Sequence, residues 1–162
     1  MALDVFFLDR KDKMDYYAFD LLSYFAGILD GEGCIAIGKN VNRFGHQGYN
    51  YALYLSVGNS KEALIDFLLA KFGGSVSYRK PSGQRKRDFW VWSLLGREAE
   101  ELLKAIRNFS VCKKEEIDVV LRFRSTFFEP GANQHTIGML DALKIREECF
   151  IELQRLHNKD RN

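Results

Sequence analysis

The sequence predicts an α+β fold in the order α-ββ-α-ββ-α, followed by two more helices. Three observations lead there. Apolar residues recur at helical spacing in segments near 20–29, 60–72, 97–107, 112–127 and 136–156. Between the first three lie two pairs of strand-like segments, 34–40 with 49–57 and 75–80 with 87–94, each joined by a link that carries turn residues. A chain of 162 residues, 46% hydrophobic and 28% charged, has the length and composition of one globular domain. With only two prolines it has no candidate linker. The expected organisation is an N-terminal leader over 1–18 and a single domain over 19–162.

Each element has a local reason. Asp20 is a plausible N-cap for the first helix, and Leu22, Phe25, Ala26 and Leu29 form its stripe. Gly31 follows where a helix commonly ends in a left-handed glycine. Cys34–Asn40 reads as a strand. Residues 49–57 alternate, with Tyr51, Leu53, Leu55 and Val57 on one face. The polar link from Val41 to Gly48 suits a hairpin loop. Ser60 can cap a second helix whose stripe is Leu64, Phe67, Leu68 and Phe72, and Gly73-Gly74 ends it. Pro81-Ser82-Gly83 turns the second hairpin. Leu102, Leu103 and Ile106 face inward from the next helix. Ile117, Val120, Leu121 and Phe128 do so from the following one. Pro130-Gly131 breaks the chain before a last helix that uses Met139, Leu143, Phe150 and Leu153. Trp90 and Trp92 share a strand face and read as core. The ββα unit occurs twice, without a residue-level repeat.

The bulk numbers narrow the function. No apolar run approaches the roughly 18 residues of a membrane span. The opening MALDVFFLDRKDK is not a signal peptide, so an intracellular protein is expected, in an organelle or a prokaryotic cytoplasm, with no membrane partner. Cys34, Cys112 and Cys149 are odd in number and lack C-x-x-C spacing, which argues against zinc and a disulfide framework. They read as reduced core residues. A formal net charge of +2 conceals an asymmetry. From Cys34 to Ser93 there are nine Lys/Arg against three Asp/Glu, while the rest of the chain is net acidic. One basic segment is what a one-sided nucleic-acid face produces.

The most informative stretch is Phe25-Ala26-Gly27-Ile28-Leu29-Asp30-Gly31-Glu32-Gly33. An apolar helical run ends in two carboxylates interleaved with glycine. A helix C-terminus carries partial negative charge, so Asp30 and Glu32 stand at its unfavourable end and call for a cation, most simply a metal. Ala26 and Gly27 are small enough to let another helix approach. Glycines on both sides of Glu32 let carboxylate and backbone reach a ligand. The commonplace alternative is a core helix with a glycine stop.

This stretch resembles the nine-residue signature of the LAGLIDADG homing endonucleases. Ala26, Gly27, Asp30 and Gly33 match by identity, and Ile28, Leu29 and Glu32 by type. The resemblance implies a fold with an αββαββα core, a DNA-binding antiparallel sheet and extra C-terminal helices. It implies that Glu32 binds metal, with the Gly31 carbonyl as a further ligand, and that Asp30 caps a helix–helix junction. Members with two signatures are pseudosymmetric monomers and those with one act as homodimers. One signature here implies a homodimer, with Leu22, Phe25, Ala26, Gly27 and Asp30 at the interface and one Glu32 from each subunit. Two such carboxylates repel without a cation. Oxygen-only ligands suit Mg²⁺, with Mn²⁺ or Ca²⁺ able to stand in its place.

The same resemblance assigns catalytic support to Lys113, in a position where the family has a lysine before its next long helix, with Lys114 one register away. Asn59 and Lys61, after the second strand, correspond to a water-organising polar residue and a basic one. Strand parity defines the DNA surface: Ala36, Gly38 and Asn40; Asn50, Ala52, Tyr54 and Ser56; Ser75, Ser77 and Arg79. Loop residues Asn42, Arg43, His46 and Gln47 extend it, and Lys80, Arg85 and Arg87 meet phosphates or outer bases. The expected protein is a homodimeric, Mg²⁺-dependent endonuclease for double-stranded DNA, acting in intron homing. It would cut a long, near-palindromic site across the minor groove and leave 3′ overhangs. The alternatives are an RNA maturase, with intron RNA as partner, and a non-cleaving DNA-binding regulator.

Overall fold

The computed structural model describes residues 19–41, 48–83, 86–127 and 136–159. The expected leader 1–18 and the loop residues Asn42, Arg43, His46, Gln47 and Arg85 lie outside the described residues, as does Phe128.

The elements are α1 (Phe19–Glu32), β1 (Gly33–Val41), β2 (Tyr49–Asn59), α2 (Glu62–Phe72), β3 (Ser75–Arg79), β4 (Phe89–Leu95), α3 (Gly96–Ile106), α4 (Lys114–Arg124) and α5 (Thr136–Lys159). The expected order holds. The four strands form one antiparallel sheet in the order β1-β2-β4-β3. Two hairpins therefore meet along β2 and β4, where Ser56 pairs with Ser93 and Asn59 with Trp90.

The alternation of β1 and β2 sends Ile35, Ile37, Leu53, Leu55 and Val57 into the core, where each is at most 3% exposed. Trp92 joins them from β4, fully buried, and its indole N–H donates to the Gly73 carbonyl at 2.7 Å. The helices contribute Phe25 and Leu29 from α1, Ile65, Leu68 and Phe72 from α2, Leu102, Leu103 and Ile106 from α3, Ile117, Val120 and Phe123 from α4, and Cys149 and Leu153 from α5. Phe25, Phe72 and Trp92 form an aromatic knot, with ring centroids 4.7 to 6.2 Å apart. Complete burial of a side chain of this size is worth about 1.5–3 kcal/mol. All the helices named here bury residues in the core on the Trp92 side, and among the described residues no helix covers the opposite face of the sheet.

Several boundaries differ from the sequence expectation. α1 does not stop at Gly31: it runs on to Glu32, and Gly31 has no positive φ. It already includes Phe19, the first described residue, so Asp20 lies within the helix rather than at its cap. Ser60 is not the cap of α2. Lys61 occupies that position, and Asn59 Oδ1 accepts the Lys61 N–H at 2.9 Å, closing the turn. Gly73 ends α2 as expected, with φ of 70° and its N–H on the Leu69 carbonyl. Only Cys149 of the three cysteines is buried; Cys34 and Cys112 are exposed.

α5 is attached to the sheet edge by an ion pair. Lys39 donates to Glu147 at 2.6 Å, and the Tyr51 hydroxyl donates to the same carboxylate. Lys39 shares strand parity with Ile35 and Ile37, so this member of the basic segment faces α5 and not the open face of the sheet.

Candidate active site and nucleic-acid interface

The carboxylates that end α1 have separate fates. Asp30 is half-buried and accepts from the Ser110 hydroxyl at 2.6 Å, the Val111 N–H at 2.8 Å, and the Cys112 and Lys113 N–H groups at 3.2 Å each. Lys113 is the N-cap of α4, and its carbonyl takes the first helical bond from Ile117. Asp30 thus ends one helix and caps another, and the partial positive charge at the start of α4 offsets the unfavourable end of α1. No metal is needed to explain Asp30. Burial pushes its carboxyl upward, but the Ser110 hydroxyl and the three backbone N–H groups prevail and hold it below the ordinary carboxylate value.

Glu32 has no such partner. It is exposed at the last helical position and makes no ion pair or side-chain hydrogen bond among the described residues. Gly31, also exposed, lies in the final turn, where backbone carbonyls lack intrahelical acceptor duty. Gly33 is required where the chain turns from helix to strand, because a Cβ there would stand 2.7 Å from the Leu29 carbonyl oxygen. One protomer offers a metal ion one carboxylate and one carbonyl. Among the described residues no three His, Cys, Asp or Glu side chains converge. The donors present fit half of an all-oxygen site, and a two-fold copy of Glu32 would supply the other half.

Lys113, not Lys114, faces inward: its side chain is 17% exposed, whereas Lys114 is on the outside. Its ammonium lies 3.3 Å from Glu116 Oε1, and its backbone is tied to Asp30 two residues before Glu32. Cys34 is in the same neighbourhood. Crowding pushes its thiol up although the residue remains exposed, with Lys113 opposing the shift and Glu116 adding to it. Asn59 and Lys61 stand at the end of β2 that adjoins Gly33, since Val57 pairs with Gly33. Asn59 Oδ1 is engaged by the Lys61 N–H, and the Lys61 side chain is exposed.

Of the residues expected at a subunit contact on α1, Gly27 alone is exposed. Phe25 and Ala26 are fully buried in the protomer's own core, and Leu22 packs against it. Phe25 and Ala26 cannot form the outer face. That face carries Tyr24 at 54% exposure, then Gly27 and Gly31, where an added Cβ would meet nothing within 4 Å.

The open face of the sheet matches strand parity. Ala36, Gly38 and Asn40 pair across to Tyr54, Ala52 and Asn50, and Ser56 continues through Ser93 to Ser75. Ser77 and Arg79 extend it on β3. The Tyr54 ring covers Gly38, where a Cβ would come within 2.6 Å of it. Sequence reading missed the β4 contribution. Phe89, Val91, Ser93 and Leu95 are on the same face, and the opposite parity of Trp90 and Trp92 is the signal that could have found them. Lys80, Lys86 and Arg87 are exposed beside the open hairpin end.

Two hairpins form one sheet, and a helix ends in an exposed acid where that sheet begins. Solved structures share this arrangement. The archaeal intron-encoded homing endonuclease I-Vdi141I, complexed with DNA, has a TM-score of 0.63 at 15% identity, over 87% of this chain and 97% of that one. The homing endonuclease I-CvuI, in complex with its target in the presence of 2 mM Ca, has a TM-score of 0.62 at 16% identity, over 88% and 84%. The LAGLIDADG meganuclease I-CpaMI, bound to uncleaved DNA, has a TM-score of 0.59 at 14% identity, over 83% of this chain and 49% of that one. No protein-family model and no curated protein sequence matches the chain. The fold is that of the LAGLIDADG homing endonucleases, an α+β architecture with the αββαββα core and two further helices.

Proposed function

We propose that the protein is a site-specific double-strand DNA endonuclease that works as a homodimer with a divalent cation, Mg²⁺ by preference. The observation that carries this reading is the placement of Glu32. It is an exposed carboxylate without a partner among the described residues, where the small-residue face of α1 meets the start of the sheet. Homing endonuclease neighbours solved with DNA targets support the reading. Among the described residues no helix is long and apolar enough to cross a membrane.

In this account the Tyr24–Gly27–Gly31 face of α1 packs against its copy and brings the two Glu32 side chains together. Glu32 and the Gly31 carbonyl of each subunit would hold a cation whose role, when bound, is to activate the attacking water and stabilise the departing 3′ oxygen. Lys113 places positive charge where the phosphate gains negative charge. Asn59, its Oδ1 already engaged, keeps its amide N–H groups to orient water. The open sheet face reads bases through Asn40, Asn50, Ser56, Ser75, Ser77 and Arg79, while Lys80 and Arg87 meet phosphates. Two copies about a two-fold axis imply a long, near-palindromic target. Cutting across the minor groove with 3′ overhangs, and homing of a host intron, complete the proposal.

The test is cleavage of a supercoiled plasmid carrying the joined DNA that flanks the gene. Linearisation in Mg²⁺, with ends that map to a near-palindrome and carry 3′ overhangs, is the expected result. Tight binding without any cutting overturns the enzyme reading in favour of a regulator.

A further inference from the structure

Glu116 is charged, close to the candidate centre and only 4% exposed. A carboxylate buried this far must be paired or it destabilises the fold. Each of its oxygens has a basic partner. Oε1 faces the Lys113 ammonium at 3.3 Å, and Oε2 faces His157 Nε2 at 3.3 Å. The Lys113 pairing is an i,i+3 contact of the kind usually left on a helix surface. Here it is enclosed, because the last turns of α5 bring His157 over it.

Lys113 is therefore held at both ends. Its backbone N–H reaches Asp30 Oδ1 at 3.2 Å and Ser110 Oγ at 3.3 Å, and its ammonium reaches Glu116. An ammonium has three N–H donors, so one contact to Glu116 fixes its direction and leaves two for phosphate oxygens. The anchoring carboxylate is in turn held by a residue from the end of the chain, about forty positions away.

We infer that Glu116 is the positioning residue for the Lys113 ammonium, and that His157 of α5 holds Glu116 in place. This inference rests on the endonuclease reading above. It gives α5 a part in the reaction beyond packing.

The test uses the full chain, single-turnover cutting of the flanking-sequence plasmid in Mg²⁺, and DNA affinity measured separately in Ca²⁺. Glu116→Gln should lower the cutting rate about tenfold and leave affinity within about threefold, since misplacement of a positioned group acts on the chemical step. In a Lys113→Met background the same change should have no further effect, because the ammonium it positions is gone. His157→Gln should slow cutting about threefold in wild type and not at all beside Glu116→Gln, and it serves alone if Glu116→Gln fails to fold. A Glu116→Gln variant that cuts within twofold of wild type overturns the inference. So does an equal loss with and without Lys113, the mark of a merely structural role. If wild type itself never cuts the plasmid, the endonuclease reading falls and takes this inference with it. If wild type cuts and neither Glu116 nor His157 matters, this inference alone falls.

Discussion

Removal of the Asp30 carboxylate tests how the end of α1 is held. Asp30→Ala strips four hydrogen-bond donors of one acceptor. The Val111 and Cys112 N–H groups belong to exposed residues and regain water, at a few tenths of a kcal/mol each. The Ser110 hydroxyl, on a residue 5% exposed, is left largely unsatisfied at about 1–3 kcal/mol. Loss of the cap and its interaction with the α4 dipole adds about 1 kcal/mol. The expected total is about 3 kcal/mol at pH 7, seen as a fall of roughly 6–12 °C in Tm at fixed protein concentration. Because the carboxyl is held below its ordinary value, its contribution is complete above that value, near 3.8, and fades as pH falls through the lowered one. Wild type and Asp30→Ala should therefore converge in acid. Urea unfolding at pH 7 and near pH 3 measures both differences. A loss under 0.5 kcal/mol at pH 7, or a gap that does not narrow in acid, refutes the capping argument.

Other outcomes follow from the same geometry. Gly27→Leu should leave the protomer folded, since open space surrounds the position, and should convert the proposed dimer to a monomer in sedimentation; a persistent dimer removes Gly27 from the contact. Gly33→Ala should cost about 1–3 kcal/mol, because its Cβ meets the Leu29 backbone, and should slow cutting by displacing Glu32; unchanged Tm and rate would show that the turn is soft. Val91 and Phe89 on the open face predict contact with thymine methyl groups. Uracil in place of thymine should weaken binding about fourfold at one or more positions, the worth of one methyl, with Val91→Ser abolishing the difference at one of them.

The fold was legible because its periodicities are strong. Strand parity in 34–40 and 49–57 located both sheet faces, and the stripes of the helices located the core. What failed was finer. Phe25 and Ala26 were expected at a subunit contact, yet a helix with two small or apolar faces does not reveal which one its own core takes. Gly31 resembled a stop, but the helix runs on to Glu32. The partners of Asp30 lie some eighty residues away, so its oddity in sequence was real while its remedy, a second helix N-terminus, was invisible. Lys39 counted toward a basic face until α5 claimed it through Glu147. The Glu116–His157 contact escaped notice for the same reason, although the i,i+3 spacing of Lys113 and Glu116 was there to be read.

The central claim is that Glu32, exposed and without a protein partner among the described residues, does the chemistry from both subunits. The most direct test is Glu32→Gln, which keeps size and hydrogen bonding and removes the charge. The account predicts unchanged affinity for the target duplex, no detectable double-strand cutting in Mg²⁺, and a wild-type Tm. Efficient linearisation of the plasmid by Glu32→Gln would contradict it.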